Sequence, residues 1–122
     1  MNSESASSGA GPLTGLKILD ISEGIAAPFC TKLLGDLGAD VVKIEKAESG
    51  DESRALGPFP EGEPHVELSS SFFFLNTSKR SVILDLDSEA GLSKLRALVK
   101  RFDIVVASGT AESLAARGLG FE

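Results

Sequence analysis

The feature that most constrains the fold is a short apolar strand, a helix and a second short strand joined by tight connections. Residues 17–21 (KILDI) are rich in β-branched side chains and run into a turn-forming Ser-Glu-Gly segment. Pro28 suits the first turn of the following helix, where its missing N–H would have no helical partner. Residues 40–45 form the second strand. Such a unit predicts two parallel strands in one sheet.

The predicted helix carries apolar side chains at helical spacing, and Gly38 stands where a left-handed residue would end it. Its apolar positions are Phe29, Leu33, Leu34 and Leu37. Cys30 is the single cysteine, so no internal disulfide can form. Because free cysteines are mostly buried, Cys30 is predicted to be a small buried side chain.

The rest of the chain repeats the alternation of strands and helices. Residues 81–86 and 103–107 are predicted strands, and Ser88 and Thr110 are predicted to cap the helices that follow them. Residues 47–64 are predicted to be a long surface loop, and a short helix within 68–77 to pack its phenylalanines on the sheet. The sequence therefore predicts an α/β, Rossmann-like domain over 12–122. Its mostly parallel sheet is expected to have helices on both faces, and residues 1–11 are predicted to be a disordered leader.

Charge and composition exclude several classes of function. The net charge of −6 and the pI near 4.8 argue against a nucleic-acid partner, which needs a basic face. No apolar run approaches the roughly 18 residues of a membrane span, and no secretory signal begins the chain, so a cytoplasmic protein without a membrane partner is expected. His65 lies in an acidic loop without a Ser, Cys or Asp constellation, and no spacing typical of metal ligands occurs.

Ligands of open α/β sheets bind beyond the carboxyl ends of the strands, which directs attention to residues 22–27, 46–54, 85–88 and 108–111. The first loop has one glycine, Gly24, so a dinucleotide fingerprint is absent. The loop still leads into a helix N-terminus, which favours a phosphate or carboxylate, although an ordinary turn explains it equally well. The adjacent pair Lys79 and Arg80 could bind a phosphate or be an ordinary surface pair.

Four ordered blocks of the sequence resemble the start of the family III coenzyme A transferases, the CaiB/BaiF-like proteins. The blocks are PLTGLKILD at 12–20, LLGDLGADVVKIE at 33–45, SGDESR at 49–54 and NTSKRSVILDL at 76–86. The resemblance covers about residues 12–120, whereas members of the family are several times longer. It implies that this chain is a fragment or a separately encoded part.

By this resemblance, the chain supplies the nucleotide end of a coenzyme A site, with coenzyme A as substrate and acyl carrier and no metal. Lys46 stands where the family commonly has Arg, which keeps the charge but loses the planar fork. The candidate coenzyme A-binding residues are Ile25, Ala26, Lys46, Arg54, Lys79, Arg80, Leu84, Asp85, Asp87 and Ser108.

Two departures from the family concern the last loop. The family usually has an Asn-aromatic-x-Pro-Gly turn where residues 108–112 read SGTAE, and an acidic Glu112 there would repel the phosphates of coenzyme A. In addition, Arg117 directly precedes Gly118, whereas the family has Arg two residues before that glycine. The resemblance to the family is therefore less close in this loop than in the four blocks.

The resemblance implies transfer of coenzyme A between a carboxylic acid and an acyl-CoA thioester, through an anhydride and a thioester on an Asp side chain. The family's Asp lies beyond Glu122, so no catalytic residue is assigned and this chain alone is expected to be inactive. The complete protein is expected to be an interlocked homodimer, or to receive the Asp from a partner chain. The alternatives are an α-methylacyl-CoA racemase, a non-catalytic acyl-CoA-binding or partner subunit, and a Rossmann-like domain without a coenzyme A role.

Overall fold

Four parallel strands form the sheet in a computed structural model that describes residues 10–120. The strands are β1 (Lys17–Ile21), β2 (Asp40–Glu45), β3 (Lys79–Ile83) and β4 (Ile104–Ala107), in the order β3-β2-β1-β4. The α-helices are α1 (Ala26–Asp36), α2 (Ser70–Leu75), α3 (Glu89–Val99) and α4 (Ala111–Ala116). Residues 1–9 of the predicted leader lie outside the described residues, and Gly11 forms a turn with Thr14. The predicted α/β fold with a parallel sheet is confirmed.

Apolar residues cover both faces of the sheet, because successive side chains of a strand point to opposite sides. On one face, Leu19, Val42 and Ile44 pack with Leu95 of α3 in a cluster that is almost fully buried. On the other face, Ile18 and Val41 pack with half-buried side chains that include Leu34 of α1. Helices α1 and α3 therefore lie on opposite faces of the sheet.

The orientation of α1 differs from the sequence-based expectation. The buried residues of α1 are Pro28 and Thr31, while Phe29, Leu33 and Leu37 are exposed. Cys30 is exposed as well, so the prediction of a buried thiol is wrong. The physical reason lies beneath the helix: the sheet presents the carboxylate of Asp20 there, and the hydroxyl of Thr31 donates a hydrogen bond to it. Gly38 adopts the left-handed conformation predicted for it, with φ of 103°.

The segment before β3 also differs from the expectation. Helix α2 forms as predicted, with the Ser69 hydroxyl accepting a hydrogen bond from Phe72 N at its start. Of its phenylalanines only Phe72 is buried, whereas Phe73 and Phe74 are exposed, so the prediction that all three pack on the sheet is wrong. Strand β3 begins at Lys79 rather than after Arg80, so both cations belong to the strand.

The other predicted helix starts are confirmed. The hydroxyl of Ser88 accepts a hydrogen bond from Gly91 N at the start of α3, and that of Thr110 accepts one from Ser113 N at the start of α4. Residues 47–64 contain two short 3-10 helices, Glu52–Ala55 and Pro60–Gly62. No helix in residues 10–120 has the length and apolarity that crossing a membrane requires.

Gly91 is predicted to be required for the packing of α3. A Cβ added there would overlap the backbone carbonyl of Asp85, which cannot move without displacing the turn before the helix. We expect Gly91→Ala to lower the free energy of unfolding by about 1–3 kcal/mol, the usual cost of overpacking. Chemical denaturation measures the change. Ser93→Ala, an exposed position of the same helix, is the matched control and should leave the stability within about 0.5 kcal/mol.

Candidate functional site

The carboxyl ends of the four strands form one edge of the sheet, and most of the candidate binding residues lie along it. From β3 to β4, the segments that follow the strands begin at Leu84, Lys46, Ser22 and Ser108. The β1–α1 loop, residues 22–25, therefore stands between the Lys46 segment and the Ser108 segment. This edge is the candidate ligand site.

Glu23 links three of the four segments of the edge. Its backbone N–H donates to the hydroxyl of Ser108 at 3.0 Å, and its carboxylate lies 2.9 Å from Nζ of Lys46. The side chain of Lys46 is 46% exposed, so its ammonium group can exchange Glu23 for another anion at small cost. Lys46 is thus a cation available to a ligand at this edge.

The N-terminus of α1 differs from those of the other α-helices in the described chain. Helices α2, α3 and α4 each begin with a Ser or Thr whose hydroxyl accepts a backbone N–H. The N-cap residue of α1 is Ile25, whose side chain makes no capping hydrogen bond. The first N–H groups of a helix have no partner within it, so here they remain for an external acceptor. Ile25 and Ala26, two of the candidate residues, are exposed at this point.

Beneath the loop lies a buried group of charged side chains that sequence reasoning did not single out. Asp20 of β1 and Lys43 of β2 point to the α1 face of the sheet and are 0% and 1% exposed. Nζ of Lys43 lies 2.7 Å from Oδ2 of Asp51, which is also buried, and 3.9 Å from Asp20. The available signal was an Asp and a Lys in the middle of otherwise apolar strands, where a charged side chain needs a buried partner.

These buried side chains bind the backbone of the β1–α1 loop from below. Asp20 accepts a hydrogen bond from Ser22 N, and Lys43 donates one of 2.9 Å to Ser22 O. Oδ1 of Asp51 accepts a hydrogen bond of 3.1 Å from Gly24 N. Gly24 has a φ of 86°, a backbone conformation that residues with a side chain rarely adopt. The shape of the loop therefore depends on tertiary contacts.

Lys79, one of the candidate residues, belongs to the same buried group. Its Nζ donates to Asp20, to the backbone oxygen of Pro28 and to Oδ1 of Asn76, at 2.8–2.9 Å each. An ammonium group has three donors, so all of them are occupied. The structure places Lys79 in the support of α1 rather than at the edge.

Arg54 is likewise held inside the domain. Its guanidinium group makes two hydrogen bonds to the carboxylate of Glu45, a third to the backbone oxygen of Val66, and lies over the ring of Phe72 at 3.6 Å. Glu45 is 6% exposed and also accepts a hydrogen bond from the hydroxyl of Ser81. Arg54 therefore anchors the long loop to the end of β2.

Arg80 lies at the opposite end of the sheet from the candidate site. Its guanidinium group forms a bidentate pair with Asp40, the first residue of β2, and both side chains are exposed. At about 3.3 Å per residue, Asp40 and Lys46 are about 20 Å apart along the strand. The structure therefore does not bring Arg80 together with Lys46.

The remaining candidates do lie at the carboxyl edge. Leu84 is half-buried and extends the pairing with β2 through a hydrogen bond from its N–H to Glu45 O. The carboxylate of Asp85 accepts a hydrogen bond from Asp87 N, which shapes the turn into α3. Asp87 is exposed and lies 3.8 Å from Arg117.

Glu112, which the sequence analysis flagged as a source of repulsion, lies in the first turn of α4. It is exposed, and hydrogen bonds from its own backbone N–H and from Thr110 lower the pKa of its carboxyl group. An acidic side chain is favourable at this end of a helix dipole. The position of Glu112 is therefore explained by the helix itself.

Burial and neighbouring charges shift the pKa values of these buried side chains in opposite directions. Burial by itself raises the pKa of Asp20, but the charge of Lys43 and the hydroxyls of Ser22 and Thr31 outweigh it and lower that pKa below its ordinary value. Asp51 behaves in the same way, with Lys43 as the main opposing cause, and its pKa is also lowered. Burial lowers the pKa of Lys79, against the effect of Asp20.

Within residues 10–120, no three His, Cys, Asp or Glu side chains are close enough together to hold an ion. The buried carboxylates are bound to ammonium groups and hydroxyls instead. At the edge, the exposed ammonium group of Lys46 and the uncapped N-terminus of α1 are groups that can bind an anion.

Comparison with known proteins identifies the family. Residues 13–122 match the model of "CoA-transferase family III", and the chain belongs to that family. It is 36% identical over 113 residues to a succinate–glutarate CoA-transferase of Agrobacterium fabrum, a match that covers 91% of this chain and 28% of the relative. It is 37% identical over 112 residues to the human succinyl-CoA:glutarate CoA-transferase, covering 91% of this chain and 24% of the relative.

Solved structures agree with this assignment. A CaiB/BaiF family protein from Brucella suis superposes with a TM-score of 0.79 at 36% identity, over 92% of this chain and 29% of that protein. A protein from M. tuberculosis superposes with a TM-score of 0.80 at 32% identity, over 91% and 30%. The chain thus spans 24–30% of the length of these relatives.

The buried carboxylates predict a loss of stability in acid. The pKa values of Asp20 and Asp51 lie below their ordinary 3.8 and that of Glu45 below its ordinary 4.5, so the folded state binds fewer protons than the unfolded state. Their contribution is complete above about pH 4.5 and is lost as the pH falls through these lowered values. We expect a smaller free energy of unfolding at pH 3 than at pH 6, measured with urea.

Lys79 affects the free energy of unfolding with the opposite sign and in a different pH range. Because the pKa of Lys79 is lowered, its protonated form is disfavoured by folding, and this unfavourable contribution declines as the pH rises toward 10.5. It therefore does not mask the acid effect. Equal free energies of unfolding at pH 3 and pH 6 would contradict the assignment of charged, paired carboxylates.

Proposed function

We propose that this chain forms the coenzyme A-binding part of a family III CoA-transferase, which moves coenzyme A between a carboxylic acid and an acyl-CoA thioester. Membership of the family is the observation that carries the proposal. The geometry supports it in one respect: an uncapped helix N-terminus and an exposed lysine stand side by side at the carboxyl edge of the sheet. This is where anionic groups of ligands bind in parallel α/β domains.

In the proposed binding mode, a phosphate of coenzyme A replaces the carboxylate of Glu23 on Lys46. The first N–H groups of α1 lie at the same edge of the sheet, beside the exposed Ile25 and Ala26. Leu84 offers apolar contact at the neighbouring strand end, and Ser108 fixes Glu23. Lys79 and Arg54 contribute by supporting the loops, since their donors are occupied inside the domain.

The proposed chemistry is a relay through an Asp carboxylate. The carboxylate attacks the thioester carbonyl, which forms a mixed anhydride and releases the coenzyme A thiolate; the thiolate then attacks the Asp carbonyl of the anhydride, which forms an enzyme thioester and releases the donor acid. The acceptor carboxylate attacks the enzyme thioester and again releases the thiolate, which attacks the acceptor carbonyl of the second anhydride to give the new acyl-CoA and the free Asp carboxylate. No residue of this chain is assigned as that Asp. The part proposed for this chain is to hold coenzyme A during the exchange.

Binding of coenzyme A to the whole protein is the direct test of the proposal. Isothermal titration is expected to show saturable binding, and absence of heat up to millimolar coenzyme A would refute it. Transfer is then tested by mixing an acyl-CoA with a free acid and following the new thioester by mass spectrometry. Succinyl-CoA with glutarate, mesaconate or malate comes first, because these acids occur in the names of several relatives.

The same assay separates the alternatives. An α-methylacyl-CoA racemase would invert the carbon next to the thioester and form no new thioester with the free acid. A non-catalytic acyl-CoA-binding or partner subunit would bind coenzyme A and give neither product. A domain without a coenzyme A role would not bind at all.

An interlocked homodimer is the proposed assembly of the whole protein. Support comes from apolar side chains exposed on the outer face of α1 and on α2, namely Phe29, Leu33, Leu37, Phe73 and Phe74. Such a patch usually contacts another surface. Light scattering of the whole protein should give twice the mass of one chain, and a monomeric mass would contradict the dimer.

Lys46 is predicted to matter for coenzyme A binding and Arg80 is not. A charge-assisted hydrogen bond contributes about 1.5–3 kcal/mol, and the partial exposure of Lys46 favours the lower end, so Lys46→Ala should raise the Kd about tenfold. Arg80→Ala removes a cation at the opposite end of the sheet and should leave the Kd unchanged. Isothermal titration of both variants decides, and equal Kd values would contradict the placement of the site.

A further inference from the structure

The β1–α1 loop is bonded almost entirely to side chains from other parts of the chain. The N–H groups of Ser22, Glu23 and Gly24 donate to Asp20, Ser108 and Asp51, respectively. The carbonyl oxygen of Ser22 accepts from Lys43. The buried side chains of Asp20, Lys43 and Asp51, together with Ser108, therefore set the path of the backbone that enters α1.

Lys43 and Asp51 form a buried pair of charges, and burying a charge costs hydration free energy. Both side chains are at most 1% exposed, and the ammonium group lies 2.7 Å from Oδ2 of Asp51. This oxygen meets Lys43 as a charge contact without an aligned hydrogen bond, while Oδ1 takes the hydrogen bonds from Gly24 and Ser53. A buried ion pair contributes little net stability, because desolvation offsets the attraction.

We infer that Lys43 and Asp51 are positioning residues: they hold the backbone of Ser22 and Gly24 from beneath and so direct the N-terminus of α1 toward coenzyme A. The inference rests on the proposed function. It adds a role for two residues that do not touch the ligand themselves. Without these contacts the loop backbone is expected to shift, which would move Ile25 and the first N–H groups of α1 away from the edge.

The neighbouring charges allow the pair to be removed without leaving a buried ion unpaired. Asp20 keeps Lys79 at 2.9 Å together with the hydroxyls of Ser22 and Thr31. Replacing Lys43 by Met preserves most of the length of the side chain, and replacing Asp51 by a neutral residue removes its counter-charge at the same time. Removing one partner alone would instead leave a buried charge uncompensated.

The experiment compares two neutral double variants of the whole protein. In Lys43→Met with Asp51→Asn, the amide oxygen can still accept from Gly24 N; in Lys43→Met with Asp51→Ala, it cannot. We expect the Ala variant to raise the Kd for coenzyme A at least tenfold and the Asn variant to raise it less. The charge-neutral control is Lys32→Met with Asp36→Asn, a pair at the far end of α1, which should leave the Kd unchanged.

Equal affinity of the Asn and Ala variants would overturn the inference, because loss of the charges alone affects both in the same way. If the unaltered protein does not bind coenzyme A, the proposed function is wrong. If the unaltered protein and both double variants bind with the same Kd, only the inference about Lys43 and Asp51 is wrong. Melting curves establish that each variant is folded.

Hydrogen exchange in the unaltered protein decides the matter if the double variants do not fold. A Gly24 N–H bonded to a buried carboxylate should be protected before any ligand is added, and addition of coenzyme A should extend the protection to the first N–H groups of α1. Exchange of Gly24 at the rate of an open loop would overturn the inference.

Discussion

The interaction on which the rest of the structure depends is the buried charge contact between Lys43 and Asp51, beside Asp20 and Lys79. These two lysines and two aspartates come from β1, β2, β3 and the loop after β2, so their charges balance only in the assembled sheet. Each charge loses hydration on burial and must find its partner. The paths of the β1–α1 loop and of the loop after β2 therefore depend on the order of β1, β2 and β3 in the sheet.

This arrangement explains why α1 presents its polar Thr31 to the sheet together with Leu34, while its other large apolar side chains lie on the outside. Periodicity shows that a helix is amphipathic, but it does not say which face meets the sheet when the sheet itself is polar there. The exposed Phe29, Leu33 and Leu37 belong to a surface that remains uncovered within residues 10–120. The helix thus bonds to the sheet through its inner face and leaves an exposed apolar surface on its outer face.

The division of basic residues follows from the same geometry. Lys79, Arg54 and Arg80 resembled ligand contacts in the sequence because they are cations near motifs of the family. In the structure, Lys79 and Arg54 satisfy buried carboxylates, and Arg80 pairs with Asp40 at the far end of β2. Lys46 remains at the carboxyl edge, with its ammonium group accessible. A cation is available to a ligand where it lies at the ligand edge and its internal partner is exposed enough to be exchanged, as Glu23 is for Lys46.

The sequence alone determined the type and order of the elements, because strand composition, helix spacing and the caps at Ser88, Thr110 and Gly38 are local signals. It also determined the family, through ordered motifs, and located the edge at which Lys46, Ile25 and Ser108 lie. Only the tertiary structure decided which face of α1 is buried, where β3 begins and which cations are occupied. The physical reason is that charge pairing between distant residues, such as Lys43 with Asp51 and Lys79 with Asp20, leaves no periodic pattern along the chain.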